Sequence, residues 1–147
     1  MAACILHFAT IAVDLNTGPD IRDITDDLNR IIGRSGIENG LATACIVGST
    51  GSLTTIEYEP GVVQDLKAAI NRLAPKDLAY AHELAWHDGN GHSHVQAALV
   101  GPSITLPIRR AGLMLGTWQQ VVAINHDNRA RHRVIEATII GTAAQHG

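Results

Sequence analysis

The chain is short of aromatics, of cysteine and of positive charge, and each shortage closes off a class of function. Two Trp, two Tyr and one Phe make up 3% of its 147 residues. That is too few for a platform on which nucleic-acid bases stack, and it leaves the core to aliphatic side chains. Eleven Lys and Arg stand against fourteen Asp and Glu, for a net charge of −3. No basic run is available to track a phosphate backbone, so a nucleic-acid partner is not expected. The two cysteines, Cys4 and Cys45, each sit in an apolar run. They read as reduced core residues of a cytoplasmic protein rather than a disulfide framework, and their spacing does not suit a zinc knuckle. No apolar run reaches the roughly 18 residues of a membrane helix. No charged segment leads into an apolar one at the N-terminus, so neither a membrane span nor a signal peptide is expected.

What remains is the composition of an ordinary globular protein, long enough for one domain over 1–147 with a sizeable core. The apolar run 4–13 predicts a buried strand. After the Asn16–Pro19 turn, Ile21, Ile24, Leu28, Ile31 and Ile32 recur at helical spacing, with Asp20 as a candidate N-cap. Runs 41–47 and 53–58 predict two more strands, and the short link between them suggests a hairpin. Val62, Val63, Leu66, Ala69, Ile70 and Leu73 trace a second helix that stops before Pro75. Residues 93–100 form a short helix, 103–108 a strand with Pro107 at an edge or bulge, 113–124 one or two strands, 126–132 a polar loop and 133–140 the last strand. The order predicts an α+β fold, with a mostly antiparallel sheet and helices packed on one side.

Chemistry concentrates in one place. His82, His87, His92 and His94 are half of the eight histidines and fall within thirteen residues, together with Asp88, Gly89 and Gly91. Imidazole is a common zinc ligand. In an extended segment His92 and His94 would point the same way, and the glycines would let His87 fold back to join them. His82 or Asp88 would ligate a metal or support its ligands. The plainer alternative is a polar surface loop. The loop Gly48-Ser49-Thr50-Gly51-Ser52 offers backbone N–H groups and hydroxyls to an anion, or is simply a turn. Glu57 and Glu59 would share a strand face as paired carboxylates, or as a solvated face. Gly116-Thr117-Trp118-Gln119-Gln120 would line a pocket with one aromatic wall and two amides, or bury one anchor. Arg109 and Arg110 would clamp a phosphate, or serve as charged turn residues.

Three stretches in order, GSTGSLTTIEYEPG (48–61), WHDGNGHSHVQAALVGPSITLP (86–107) and GTWQQ (116–120), resemble the YjbQ-like family of secondary thiamine-phosphate synthases. The resemblance spans nearly the whole chain. Many family members carry His-Thr-Ser where this chain has Gly48-Ser49-Thr50. His82 and His94 match histidines found across the family, while His87 and His92 match one branch of it. The resemblance implies a homotrimer with sites near the subunit boundaries and a histidine-held metal. It also implies a weak synthase activity that joins a pyrimidine methyl pyrophosphate to a thiazole phosphate.

The expectation is therefore a cytoplasmic, metal-dependent enzyme acting on a small phosphorylated metabolite. A divalent metal, zinc on this donor set, would be held by His82, His87, His92 and His94. Glu57 and Asp88 would be the catalytic carboxylates. Ser49, Thr50, Gly51, Arg110, Thr117, Trp118 and Gln119 would bind substrate. The rival expectation is a non-catalytic trimer that binds metal or ligand.

Overall fold

The structure, a computed structural model, describes residues 3–144. Eight strands and four helices alternate along these residues: β1 (Cys4–Leu15), β2 (Asp20–Asp23), α1 (Thr25–Ser35), β3 (Asn39–Val47), β4 (Gly51–Ile56), α2 (Pro60–Leu73), α3 (Glu83–Trp86), α4 (Gly91–Val100), β5 (Ser103–Arg109), β6 (Gly112–Leu113), β7 (Gln120–Asn125) and β8 (Arg131–Thr142). The strands form two sheets, in the orders β1-β8-β3-β5-β6 and β2-β7-β4. Every pairing is antiparallel.

Layering follows from side-chain alternation. Period two sends Ile135, Ala137 and Ile139 of β8 to the inner face of the five-stranded sheet, along with Ile11 and Val13 of β1 and Ala44 and Ile46 of β3. This face meets Leu28, Ile31 and Ile32 of α1 and Leu53, Val121 and Ala123 of the three-stranded sheet. The other face of the small sheet, through Ile21, Val122 and Ile124, packs on Ile70 of α2, with Val63, Leu66 and Val100 at its margin. All three long helices thus lie on one side of the five-stranded sheet, as the sequence predicts. β7 is covered on both faces, which explains why its residues Val121–Ile124 are continuously apolar rather than alternating.

Several local expectations change. β3 and β4 are not a hairpin. The three-residue link carries the chain from the middle strand of the larger sheet to an edge strand of the smaller one. The helix begun at Asp20 starts at Thr25 instead. Residues 20–23 pair with β7, where Ile21 stands opposite Ile124 and the helical spacing of Ile21 is coincidental. Cys4 is exposed and Cys45 half-buried, because both fall on the outer face of the five-stranded sheet. That face is solvent-facing yet apolar: Leu6, Phe8, Leu41, Val47 and Ile140 are all exposed. Register sets Leu6 and Leu41 on either side of Ile140, so the patch is continuous across three strands. No described helix is long and apolar enough to cross a membrane.

Candidate metal centre and pocket

The histidine stretch splits into two structural parts. His82 precedes the single turn of α3, and His87 ends that turn with a left-handed backbone (φ 51°). α4 then begins at Gly91, whose missing side chain lets the chain pass against the Tyr80 ring. Glu83 holds the intervening loop shut, accepting from the N–H groups of Gly89 at 2.8 Å and Gly91 at 3.0 Å. Hydrogen bonding from Gly89 is the largest influence on its carboxyl and keeps the pKa below the ordinary value.

His92 and His94 are helical, not extended. Two residues on a helix are about 200° apart, so the two rings face nearly opposite ways. His92 turns into the protein near the Tyr80 ring, with Nε2 3.2 Å from Ser93 Oγ. Burial lowers its pKa and keeps it neutral, with the Lys76 charge adding to the effect. His94 turns the other way and meets His82, their ring centroids 4.6 Å apart. His82, Glu83 and Asp88 bring ligand atoms mutually within 4.8 Å. The expected convergence of His87, His92 and His94 is thus replaced by a group of His82, Glu83 and Asp88 with His94 beside it. His82 Nε2 lies 3.3 Å from Asp88 Oδ1, yet it is buried without a well-directed hydrogen bond. A buried imidazole nitrogen left without a partner is costly, and the donor set around it suits a zinc-like ion.

His94 also lines a cavity of about 370 Å³ with Gly48, Ser49, Gly51, Ala97, Ala98 and Pro102. Two parts of the sequence reading therefore meet: the glycine-rich loop and one histidine of the cluster. Of the proposed loop residues, Ser49 is exposed and Gly51 lines the cavity, but Thr50 is committed inward. Its hydroxyl donates to Asp127 at 2.9 Å and accepts from Arg133 at 2.6 Å.

The remaining candidates lie elsewhere. β4 runs from the cavity at Gly51 to Ile56, and Ile56 pairs with Gln120. Six residues of strand cover about 20 Å, so Glu57 and the Thr117–Gln119 segment sit at the opposite end of the small sheet. Trp118 is 73% exposed there. Arg110 lies at the far end of β5 from Pro102, in a tight turn with Ala111 (φ 52° and 57°). Glu59 does not pair with Glu57. It caps α2 by accepting from Gly61 and Val62 N–H at 2.6 and 3.0 Å.

Behind the cavity lies a buried polar network centred on His126 and Asp127, in the stretch read as a polar loop. His126 is 1% exposed and Ser52 is sealed from solvent. Gln96 donates from Nε2 to the Ala74 carbonyl at 2.9 Å, which turns its Oε1 to His126 Nδ1 at 3.2 Å. Nδ1 therefore carries the proton, and Nε2 accepts from the Ser52 hydroxyl at 2.7 Å. Burial, assisted by the Arg133 charge, pulls the His126 pKa down to about 4. The hydroxyl–imidazole–amide chain looks like a nucleophilic triad, but no substrate reaches Ser52, so it is core structure. Asp127 accepts from Thr50, Asn90, the Arg129 N–H and Arg131. Burial raises its pKa, and these bonds outweigh burial and hold it below the ordinary range. The signal for Arg133 was present in the sequence: it shares period-two phase with Ile135, Ala137 and Ile139, which places it on the core face.

Comparison with known proteins agrees with this architecture. Residues 9–142 match the family model described as UPF0047 protein YjbQ-like. A UPF0047 protein of Methanothermobacter thermautotrophicus is 30% identical over 122 residues, which cover 83% of each chain. The UPF0047 protein YjbQ of Salmonella typhimurium is 32% identical over 120 residues, covering 80% of this chain and 86% of that one. The crystal structure of a YbjQ-like protein of unknown function from Sulfolobus solfataricus superposes with a TM-score of 0.90 at 29% identity, covering 95% of this chain and 99% of that one. With a family model matched over nearly its whole length, the chain belongs to the YjbQ-like UPF0047 family.

Proposed function

We propose that the protein is a metal-dependent enzyme acting on a small phosphorylated metabolite, in the manner of a thiamine-phosphate synthase-like transferase. The observation that carries this reading is His82 Nε2, buried and unpartnered, within reach of Asp88 and packed on His94 at the edge of the cavity. His82, Asp88 and His94 would hold the ion, with Glu83 fixing the loop that carries Asp88. A divalent ion there supplies positive charge to phosphate or pyrophosphate oxygens. The chain's own part is to present Ser49 and the backbone of the 48–51 loop to the ligand, and to keep the cavity walls at Ala97, Ala98 and Pro102 apolar.

Assembly as a homotrimer belongs to the same proposal. The exposed apolar face of the five-stranded sheet supports it, since faces of that kind are normally covered by a partner. The test is metal analysis of the purified protein and of His82→Ala and His94→Ala. It is followed by turnover assays on phosphorylated metabolites, with a pyrimidine methyl pyrophosphate and a thiazole phosphate first, before and after chelation. Bound metal lost in both variants, and turnover that needs it, supports the proposal; full metal content in either variant sinks it.

The rival reading, a non-catalytic trimer that binds metal or ligand, has one observation in its favour. Glu83 and Asp88 close the 88–91 loop by accepting backbone N–H groups, which gives these carboxylates a structural role of their own. Chelation that lowers the melting temperature of a protein with no turnover would select it.

A further inference from the structure

Arg133 stands on the core face of β8 and is 6% exposed. A guanidinium taken out of water is expected to recover its lost hydration from a carboxylate. Here a carboxylate does so only at one remove. Among the described residues no carboxylate oxygen forms an ion pair with Arg133; Asp127 is paired with Arg131 at 3.0 Å and reaches Arg133 through the Thr50 hydroxyl, which bonds both, so its charge favours the guanidinium without touching it. The acceptors Arg133 has are neutral: Asn125 Oδ1 takes bonds from Nε at 3.1 Å and from Nη2, and Thr50 Oγ1 takes one from Nη2 at 2.6 Å. Nη1 has no hydrogen-bond partner among them.

Nη1 lies against Gly48 and is not sealed from solvent. A Cβ built on Gly48 would stand 2.9 Å from Nη1 and meet nothing else within 4 Å. Gly48 itself lines the His94 cavity, and its φ of +128° is one that residues with side chains rarely adopt. The wall between the cavity and the unpartnered Nη1 of this largely buried cation is therefore a residue without a side chain.

We infer that Arg133 is the anion-binding residue of this cavity, and that the ligand group it takes is a phosphoryl oxyanion met by Nη1 at the Gly48 notch. The inference rests on the reading of the cavity as a site for a phosphorylated metabolite, and it names the residue that recognises the phosphoryl group. Arg110, at the far end of β5, is not needed for it. Arginine suits the task because its planar fork keeps two donors on Asn125 and Thr50 while a third is held toward the ligand. Removing it also strips the buried Asn125 Oδ1 and Thr50 Oγ1 of donors, so the loss of phosphate binding is read apart from any loss of stability.

The experiment titrates inorganic phosphate into the full-length protein by calorimetry, as purified and again after chelation, and records melting temperatures with and without phosphate. Wild type should bind saturably and melt higher in phosphate. Arg133→Gln should bind at least fivefold more weakly, and its melting temperature, whatever its value without phosphate, should no longer rise in phosphate. Gly48→Ala should also lose at least fivefold, because its Cβ displaces Nη1. Absence of saturable binding in wild type, or a loss below fivefold in a folded variant, overturns the inference. So does an Arg133→Gln protein that melts lower yet keeps its response to phosphate, since that is the mark of a purely structural arginine. If Arg133→Gln does not fold, Gly48→Ala decides. Metal content is followed in parallel with His82→Ala. Full metal content in His82→Ala, with phosphate binding lost in Arg133→Gln, leaves this inference standing while the metal proposal falls; metal lost from His82→Ala, with phosphate binding kept in Arg133→Gln, separates them the other way.

Discussion

His126 carries a consequence that its sequence setting, between an apolar strand and a charged loop, does not announce. In the unfolded chain it titrates near the ordinary 6.5, but in the folded protein burial holds it at about 4. The unfolded state therefore binds the proton first as pH falls. Stability contributed by neutral His126 is fully present above about pH 6.5 and is lost progressively between there and about pH 4, for a total of about 3 kcal/mol. Urea melts from pH 4 to 8 should show wild type weakening over this window, and His126→Asn should show a flatter profile. An unchanged slope in the variant would assign the acid sensitivity elsewhere. Gly51 bears on mutational design in the same loop. A Cβ there meets Ile46 Cδ1 at 2.8 Å, so Gly51→Val should disturb the core as well as the cavity. It should lower the melting temperature, whereas Ser49→Ala, at an exposed position, should leave the melting temperature unchanged.

At the scale of elements, periodicity located nearly every strand and helix, and its failures have identifiable causes. Continuous burial hides period two in β7, and a chance match of Ile21 to helical spacing hid β2. The glycines at 89 and 91 suggested a folded-back loop, but the second of them is the first residue of α4. Helical geometry then separates His92 from His94 and brings His94 to His82. Which histidines meet depends on that helix start, and a shift of strand for helix inverts the answer. The Arg133 signal was legible and the Asp127 network was not, because Thr50, Asn90 and Asp127 are far apart in sequence and meet only when the sheets stack. β7 yields the sharpest prediction at this scale. Ile124 is fully buried against α2 and the outer layer. Ile124→Ala should cost about 2–5 kcal/mol and lower the melting temperature by roughly 2–4 °C for each kcal/mol, as calorimetry would read. A shift under about 2 °C would mean that the α2 layer contributes little to the cooperative unit.

For the whole molecule, the outer face of the five-stranded sheet is where the proposed assembly is tested. Phe8 is 68% exposed and Leu6 54% exposed on strand β1, beside Ile140 and Leu41. Phe8→Asp places a charge in the middle of that face without touching the core. Light scattering at micromolar concentration should give a trimer mass for wild type and a smaller mass for the variant. A monomeric wild type would refute the proposed assembly. The same face explains why the two cysteines, free as expected, are not core residues: apolar surroundings in sequence are compatible with an outward sheet face when that face itself is apolar.

The pairing of β1 with β8 has a further consequence, for the order of events during synthesis. β8 lies between β1 and β3 and is hydrogen-bonded to both, to β1 along twelve residues. β1, made before the other described strands, thus waits for β8, made after them, and β3 waits on one edge with it. Until Arg131–Thr142 emerges, two apolar strand edges have no partner among the described strands, and the larger sheet closes only after β8 is made. Such long-range pairing makes folding slow and leaves the nascent chain exposed to association with other chains. A slow codon tract or a pause before β8 would lengthen that exposure, whereas one after it would not.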